Sequence, residues 1–531
     1  MVYLKSNSEQ TFLLPTDLRT IIPRDHICFL IADIVEELDY TEFDKAVAGP
    51  GNPSYHPRIM LKIILNGICD RITSTRKLEK QTHENIVFKY LAENLAPDYH
   101  TIAMFRKNNR ELIKQHFLQT VEVAKTLDMV NFNKLYLDGI KMKANASKGK
   151  TFTKEEIDFL SEFVDKHLEK MDETDAEEDI EYGDSNGEPR IPEHLTSKRK
   201  LKDKIKQIMK DINKGKKQMG MAKAKLKEEG VNAVNLTDID SKIMKMKKGS
   251  HFEQAYNCQL LVEDKGEIIV GNYVSDSPVD ATETIPSMEK FKQEQNVSLE
   301  GKEVFQDNGF SSLKTAEYYE KEGAIAYIPD QAATKELHGK AKEITMFNID
   351  NFKLDFRKNQ AICPAGHRMD FIKKYVDKAG NWTNVYKTGK CNECVFKRDC
   401  IGAKSHSNYR EAKINPSMRR IRLRFKTKTG LKKYSKRFHK GEVAQAHILH
   451  NLSYREFKCR GIKACENEIN LFSAAYNLKK IHNKLKRLGG GLRENIKKIF
   501  FWPDYAFCYG IITQPVRRLR SIFDLFYYSI S

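Results

Sequence analysis

The stretch Lys134-Leu135-Tyr136-Leu137-Asp138-Gly139-Ile140-Lys141-Met142-Lys143-Ala144-Asn145-Ala146 constrains the fold of this chain more than any other. Its apolar and β-favouring residues run straight up to an acid, and a glycine follows at once. A short apolar run bounded by a turn residue reads as a strand buried in a sheet. A carboxylate at the end of such a strand is costly to bury unless a cation sits on it. Lys141, Lys143 or a metal ion could be that cation, although for an isolated aspartate a turn cap is the more ordinary reading.

A second copy of the device changes the balance. Gly301-Lys302-Glu303-Val304-Phe305-Gln306-Asp307-Asn308-Gly309-Phe310 is again a short strand signal ending in an acid, with a turn-forming Asn-Gly behind it. Two such acids, far apart in sequence, meet if their strands are neighbours in one sheet. A third carboxylate would complete an oxygen cage of the kind that Mg²⁺ takes in two-metal phosphoryl transfer.

Lys and Arg number 91 against 72 Asp and Glu over 531 residues, a formal charge of +19. That length allows two to four domains, and the excess draws the chain towards a polyanion such as DNA. The most apolar tail segment, Ile499 to Pro515, carries Pro503 and Asp504 and is too short to span a bilayer. The start lacks a basic-then-apolar export signal. Ten mostly scattered cysteines point to a reducing compartment. The expectation is a cytoplasmic, nucleoid-associated protein.

Residues 1–130 read as a helical N-terminal domain. An apolar helix opens after Pro57, Ser74 or Thr75 caps the next, and Pro97-Asp98 starts another with Ile102 and Phe105 inward. Arg106, Lys107 and Arg110 are expected on its more exposed faces. That suits a helix-turn-helix DNA module and any small helical bundle equally. Residues 150–249 read as a helical insertion. Thr153-Lys154-Glu155-Glu156 is a capping box opening a helix that turns acidic from Asp172 to Asp179. A polar linker, Gly183 to Pro192, leads to a lysine-rich helix through Leu201, Ile205, Ile208 and Ile212. An antiparallel hairpin with opposite charges facing each other is the preferred reading, and a DNA-contacting arm the sharper one.

Strand signals resume at Tyr256–Val262 and Glu267–Val270, flanking Asp264-Lys265-Gly266 as a hairpin. A helix over 281–294, the Asp307 strand, a helix over 315–322 and a strand over 324–329 follow. Segments 131–149, 250–334 and 431–485 together give the element order of an RNase H-like α/β core. Residues 335–430 form a cysteine-rich insertion with Cys363, Cys391, Cys394 and Cys400. One Cys-x2-Cys knuckle among four thiols fits a structural Zn²⁺, with His367 as a substitute ligand. After a basic segment, Arg419 to Lys440, Glu442 is expected to open a helix whose buried side continues through Ala446, Leu449 and Leu452. A first-turn carboxylate beside the sheet could be the third metal ligand, or plain helix-dipole complementation. A last core helix is expected over 469–485, and residues 486–531 form a C-terminal tail.

The chain resembles bacterial insertion-sequence transposases of the DDE type, in particular the insertion sequence 1182 group. The resemblance rests on Pro97-Asp98-Tyr99-His100-Thr101, Tyr136-Leu137-Asp138-Gly139 with Lys143-Ala144-Asn145-Ala146, Tyr256-Asn257-Cys258-Gln259, Asp307-Asn308-Gly309-Phe310, the cysteine insertion and Ala475-Tyr476-Asn477-Leu478. It implies Asp138, Asp307 and Glu442 as catalytic acids holding two Mg²⁺ (or Mn²⁺) ions. One ion would activate water and later the freed 3′-OH, and the other would stabilise the leaving oxygen. It also implies that Tyr434 and Arg437 contact DNA, that the substrate is double-stranded DNA at the terminal inverted repeats, and that a dimer or larger assembly holds both ends. The chain departs from the pattern at Leu449, where a Lys is usual, with His450 beside it. A domesticated, non-catalytic DNA-binding relative and an RNase H-like nuclease without end specificity are the competing functions. Glu456, Glu466 and Glu468 compete for the place of Glu442.

Overall fold

The computed structural model describes residues 17–47, 54–174, 194–195, 198–246, 251–337, 346–378, 380–401 and 407–488. The acidic side chains from Asp172 to Asp179, the linker Gly183 to Pro192 and the tail beyond 488, with Ile499 to Pro515, lie outside the described residues. The chain divides into two compact units. One comprises residues up to Phe105, Gln115–Val130 and residues from Ala474 on; the other comprises Arg106–Lys114 and Asn131–Ser473.

The first unit is helical. The helix Pro57–Cys69 carries Pro57 in its first turn behind His56, whose ring accepts from the Arg58 amide. Proline suits that position because its missing N–H has no intrahelical partner to lose. Asp98 likewise accepts from the Thr101 amide (2.9 Å) at the start of Tyr99–Asn108. Ile22, Cys28, Phe29 and Leu91 close one small core.

The second unit is built on a mixed sheet of β1 (Lys134–Lys143), β2 (Lys242–Lys245), β3 (Phe252–Glu263), β4 (Ile269–Ser275), β5 (Glu303–Phe305) and β6 (Ile325–Tyr327). β3 pairs antiparallel with β1 on one side and with both β2 and β4 on the other. β1, β5 and β6 run parallel. β1 does not end at Asp138 as the sequence suggested: pairing continues from Gly139 opposite Gln259 to Lys143 opposite Ala255. Gly139 is in the strand because a neighbouring side chain fills its Cβ space, as described below, and not because the chain turns there.

Three helices, α1 (Lys154–Thr174), α2 (Lys198–Lys210) and α3 (Ile212–Glu229), form the insertion after β1. They share a core that includes Ile157, Leu160, Leu201, Ile205, Ile208 and Leu226. The capping box is present: Glu156 accepts from the Thr153 amide (2.9 Å) and the Thr153 hydroxyl from the Glu156 amide (3.3 Å). The lysine-rich segment differs from the single helix expected. Asp211 accepts from the Lys214 amide and starts a new helix, so Ile212 begins α3 instead of closing α2. Gly215 lets the two meet, since a Cβ there would stand 2.9 Å from Ile208.

Helices α4 (Thr284–Gln295) and α5 (Leu313–Lys321) connect β4, β5 and β6. The cysteine-rich segment carries a five-stranded antiparallel sheet between Lys353 and Ile414, with Phe352, Met369 and Tyr386 in its core. α6 (Arg437–Ala446) and α7 (Ile462–Arg487) complete the described chain. No helix among the described residues is long and apolar enough to cross a membrane.

Candidate active site

Strand register brings the first two acids together. Tyr136 lies opposite Phe305 and Phe305 opposite Tyr327 in the parallel pairing. Their rings stack in a ladder, 4.9 Å between centroids at each step. Side chains two residues apart on a strand share a face. Asp138 lies two residues beyond a rung within β1, and Asp307 two residues beyond one just past the end of β5, so both fall on the ladder's side of neighbouring strands. Asp138 is buried (2 % exposed), and its Oδ1 accepts from the Gly139 amide at 3.0 Å. Asp307 caps a short turn, Asn308–Phe310, by accepting from the Gly309 amide at 2.8 Å.

α6 crosses the same face at Gly441. A Cβ there would lie 3.7 Å from the Cβ atoms of both Asp138 and Tyr136, so even an alanine would come into contact. Glu442 follows immediately, and Arg437 lies about one turn earlier on the helix. Glu442 is not at the helix start, as expected, but at its sixth residue, because the helix opens at Arg437. It is half exposed. Beyond Ala446 the backbone widens into a π-helical turn, His447–Asn451. The helix meets the sheet at Gly441, and Ala444 and Ile448 follow on that side at helical spacing. Leu452 is buried as expected, whereas Ala446 is exposed and Leu449 half-buried.

The cation that the buried carboxylate requires is Arg437, not Lys141 or Lys143. Its guanidinium is buried and stands 3.5 Å from Asp138, 3.6 Å from Asp307 and 3.4 Å from Glu442. Burial would lower its pKa; the acids, Asp138 foremost, outweigh that and hold it above its ordinary value. Tyr434 is buried beside it, edge-on to Phe425 at 4.9 Å, with the guanidinium 6.0 Å above its ring. Burial raises the Tyr434 hydroxyl above its usual range. Of the competing acids, Glu466 pairs with Lys290 and Arg110. Glu468 accepts from the Tyr454 hydroxyl (2.8 Å) and the Lys458 amide (2.8 Å). Glu456 bridges to Lys143 through the backbone.

A further carboxylate, unforeseen from the sequence, is Asp280. Its Oδ1 accepts from Asn257 (2.7 Å) and Gln259 (3.3 Å), both fully buried on β3. A Cβ on Gly139 would stand 2.8 Å from that Oδ1, and one on Gly309 would stand 3.3 Å from Oδ2. Asp280 thus fills the space left by the glycines that follow Asp138 and Asp307. Those paired glycines were the signal that could have found it.

The sequence also placed Arg106 on an exposed face. It is 5 % exposed and faces Glu468 at 3.8 Å, while Lys107 is exposed. Cys363, Cys391, Cys394 and Cys400 line one small cavity together with His367. Burial raises the Cys400 thiol, Arg410 opposes it, and the other three thiols raise it further. Among the described residues, no three His, Cys, Asp or Glu side chains stand close enough together to hold an ion. The donor types, though not their spacing here, are those metals take: carboxylate oxygens for Mg²⁺ and thiolates for Zn²⁺.

The second unit is therefore a mixed α/β structure with three acids gathered on one arginine. Residues 362–482 match the family described as the transposase DDE domain, and residues 16–108 match the transposase domain (DUF772). Together the two matches support a DDE transposase. The first contains the four cysteines, Tyr434, Arg437 and Glu442; Asp138 and Asp307 stand outside both. No curated protein matches the chain. Among solved structures, a piggyBac transposase synaptic complex with hairpin DNA is similar at a TM-score of 0.30 and 10% identity, over 96% of this chain and 86% of that one. That likeness is too slight to bear on this chain.

Proposed function

We propose that this chain is a DDE transposase of the insertion sequence 1182 group with an RNase H-like core. In this reading it binds the terminal inverted repeats of its element as a dimer or larger assembly, and cleaves and transfers DNA strands. The observation that carries the proposal is the convergence of Asp138, Asp307 and Glu442 on the buried Arg437. Two of these acids are held in register by the Tyr136–Phe305 stack.

Asp138, Asp307 and Glu442 would hold the divalent ions, which when bound supply Lewis acidity to the scissile phosphate and to the attacking oxygen. The protein's own part is arrangement. The sheet fixes two carboxylates, α6 brings the third, and Arg437 keeps all three gathered. Arg437 carries a planar fork that can grip a phosphate once the carboxylates no longer need it. Asp280 acts as a positioning residue between the Gly139 and Gly309 backbones. Leu449 offers no basic contact to DNA. Cys363, Cys391, Cys394 and Cys400 would close on a structural zinc that leaves no open position.

The test is a supercoiled plasmid carrying the element's ends, incubated with the protein and Mg²⁺, then with EDTA. Metal-dependent nicking at the ends is expected. End binding without nicking would indicate a non-catalytic relative, and cuts at random positions on DNA lacking the ends a general nuclease. Metal analysis of protein purified without chelator should give one zinc per chain; a ratio near zero removes that site.

A further inference from the structure

A second cluster of charge lies at the far end of β1. The strand runs on from Asp138 to Lys143, about 17 Å at roughly 3.4 Å per residue, and the chain then enters a cleft of about 1120 Å³. The cleft is walled by α2, α3 and the segment Ser147–Phe152. Its lining includes eight Lys and Arg side chains against two Asp, Asp203 and Asp211. Asp211 is engaged in capping α3.

The charges are not laid out to neutralise one another. Lys200 is matched, pairing with Glu156 at 2.7 Å. Lys204, one turn further along α2, donates instead to the neutral amide oxygen of Gln218 (2.6 Å). Gln218 is held in that orientation by donating to the Leu236 carbonyl. Burial lowers the Lys204 pKa, and the charged groups that act on it, Lys150 and Lys214, are both cations and lower it further. Ammonium groups crowded into one cleft repel in the free protein, and an anion between them removes the repulsion. The acidic side chains from Asp172 to Asp179 that the hairpin reading sets against these lysines lie outside the described residues. Among the described ones, Lys200 pairs with Glu156 and Lys223 with Asp158 at 4.0 Å. Neither pair involves Lys150, Lys204 or Lys214.

We propose that this cleft seats the phosphodiester backbone of the transposon-end DNA that extends beyond Asp138, with Lys150, Lys204 and Lys214 as its phosphate contacts. The assignment of the DNA as transposon end rests on the function proposed above; the cleft as a DNA seat does not. The rim is anchored to the acidic site through the chain itself. Arg460 donates to the Asn145 carbonyl (3.1 Å), and Asn145 donates to the Lys458 carbonyl (2.7 Å), just past the end of β1.

The experiment is fluorescence anisotropy with a labelled end-sequence duplex, at several salt concentrations, in the Asp138→Asn background so that cleavage plays no part. One variant carries Lys150→Gln, Lys204→Gln and Lys214→Gln. A control carries Lys216→Gln, Lys217→Gln and Lys227→Gln, which removes the same charge from exposed positions off the cleft. The cleft variant should flatten the slope of log affinity against log salt by about 2 to 3, at about 0.9 per phosphate contact, and the control by far less. Thermal unfolding should show the cleft variant as stable as its parent or more so. Equal losses in the two variants would reduce the cleft to general attraction and overturn the proposal, as would an unchanged slope in the cleft variant. Cleft-dependent binding that is tighter to a duplex RNA of the same sequence would overturn DNA as the occupant. A flattened slope on end and scrambled DNA alike, without nicking by the parent protein, would leave the seat standing and sink the transposase reading.

Discussion

Two charge clusters in the second unit are built in opposite senses. Around Arg437, three carboxylates share one guanidinium, a balance of three negative charges against one positive. Around Lys204, the cleft lining holds eight cations against two aspartates, and the nearest partner is a neutral amide. The first cluster is under-supplied with cation and the second with anion. Neither arrangement maximises stability: a buried carboxylate with a fraction of a counter-charge and a lysine crowded by lysines are both better satisfied by something from outside. The acids invite divalent ions and the cleft invites phosphate. Under the proposed function both kinds of incompleteness would serve ligands, at some loss of stability.

The largest expected effect breaks the first cluster. Asp138→Asn, Asp307→Asn and Glu442→Gln each remove a charged ligand while hardly changing volume. Each should cut plasmid nicking about 10³-fold or more, roughly 4 kcal/mol of barrier, with end affinity by anisotropy nearly unchanged. A Glu442→Gln protein that still cleaves would show that another acid completes the set, against the engagement of Glu466 and Glu468 elsewhere.

Arg437→Ala comes next. Without it Asp138 is buried beside two other acids and no guanidinium, which costs about 3–5 kcal/mol for a buried pair broken on one side. If the guanidinium and the metal ions compete for the same carboxylates, Mg²⁺ should raise the melting temperature of the variant more than that of the parent. Melting curves in EDTA and in Mg²⁺ read this directly. An equal Mg²⁺ response in both proteins would mean that Arg437 and the metal do not share the acids.

The difference between the clusters also explains what could be read from the sequence. Asp138 and Asp307 were legible because each closes a short apolar run, and a strand's period of two fixes which face a side chain takes. The capping box at Thr153 and Glu156 was legible for a similar reason: it is local. The partner of Asp138 was not legible, because Arg437 lies some three hundred residues away and reaches it only through the crossing of α6 at Gly441. The buried state of Arg106 depends on Glu468 in the same way. The break at Asp211 was missed because an apolar spacing of three and four continues through it. The cleft around Lys204 depends on how α2 and α3 pack after that break, which spacing along one helix does not encode.

Asp280 sharpens the acidic side of the comparison. Gly139→Ala should cost about 1–3 kcal/mol by overpacking, since its methyl would stand 2.8 Å from Asp280 Oδ1 and 2.9 Å from Gln259 Nε2. Adding Asp280→Ala should restore much of that stability by making room. If Asp280 positions Asp138 and Asp307, cleavage stays low in the double variant although the fold recovers. Recovery of cleavage along with the fold would reduce Asp280 to a space-filler.

The smallest effect separates two lysines of the same helix. Lys200 and Lys204 are one turn apart on α2, and replacing either by Met removes one positive charge while keeping the aliphatic stem. Lys200 serves Glu156, which is buried and already committed to the capping box, and Lys200 also donates to the Thr151 carbonyl at 2.8 Å. Lys200→Met therefore leaves a buried carboxylate without its cation and should lose about 1–3 kcal/mol. Lys204→Met loses one hydrogen bond to Gln218 but relieves the repulsion from Lys150 and Lys214. It should be neutral or gain about 0.5 kcal/mol, the scale of a favourable charge change. Urea midpoints of the two variants, measured side by side, give the sign. Opposite signs mean that the cleft holds one structural lysine and one kept for a ligand. A loss in both would make Lys204 structural as well, and the charge crowding around it would then be an incidental result of packing α2 against α3.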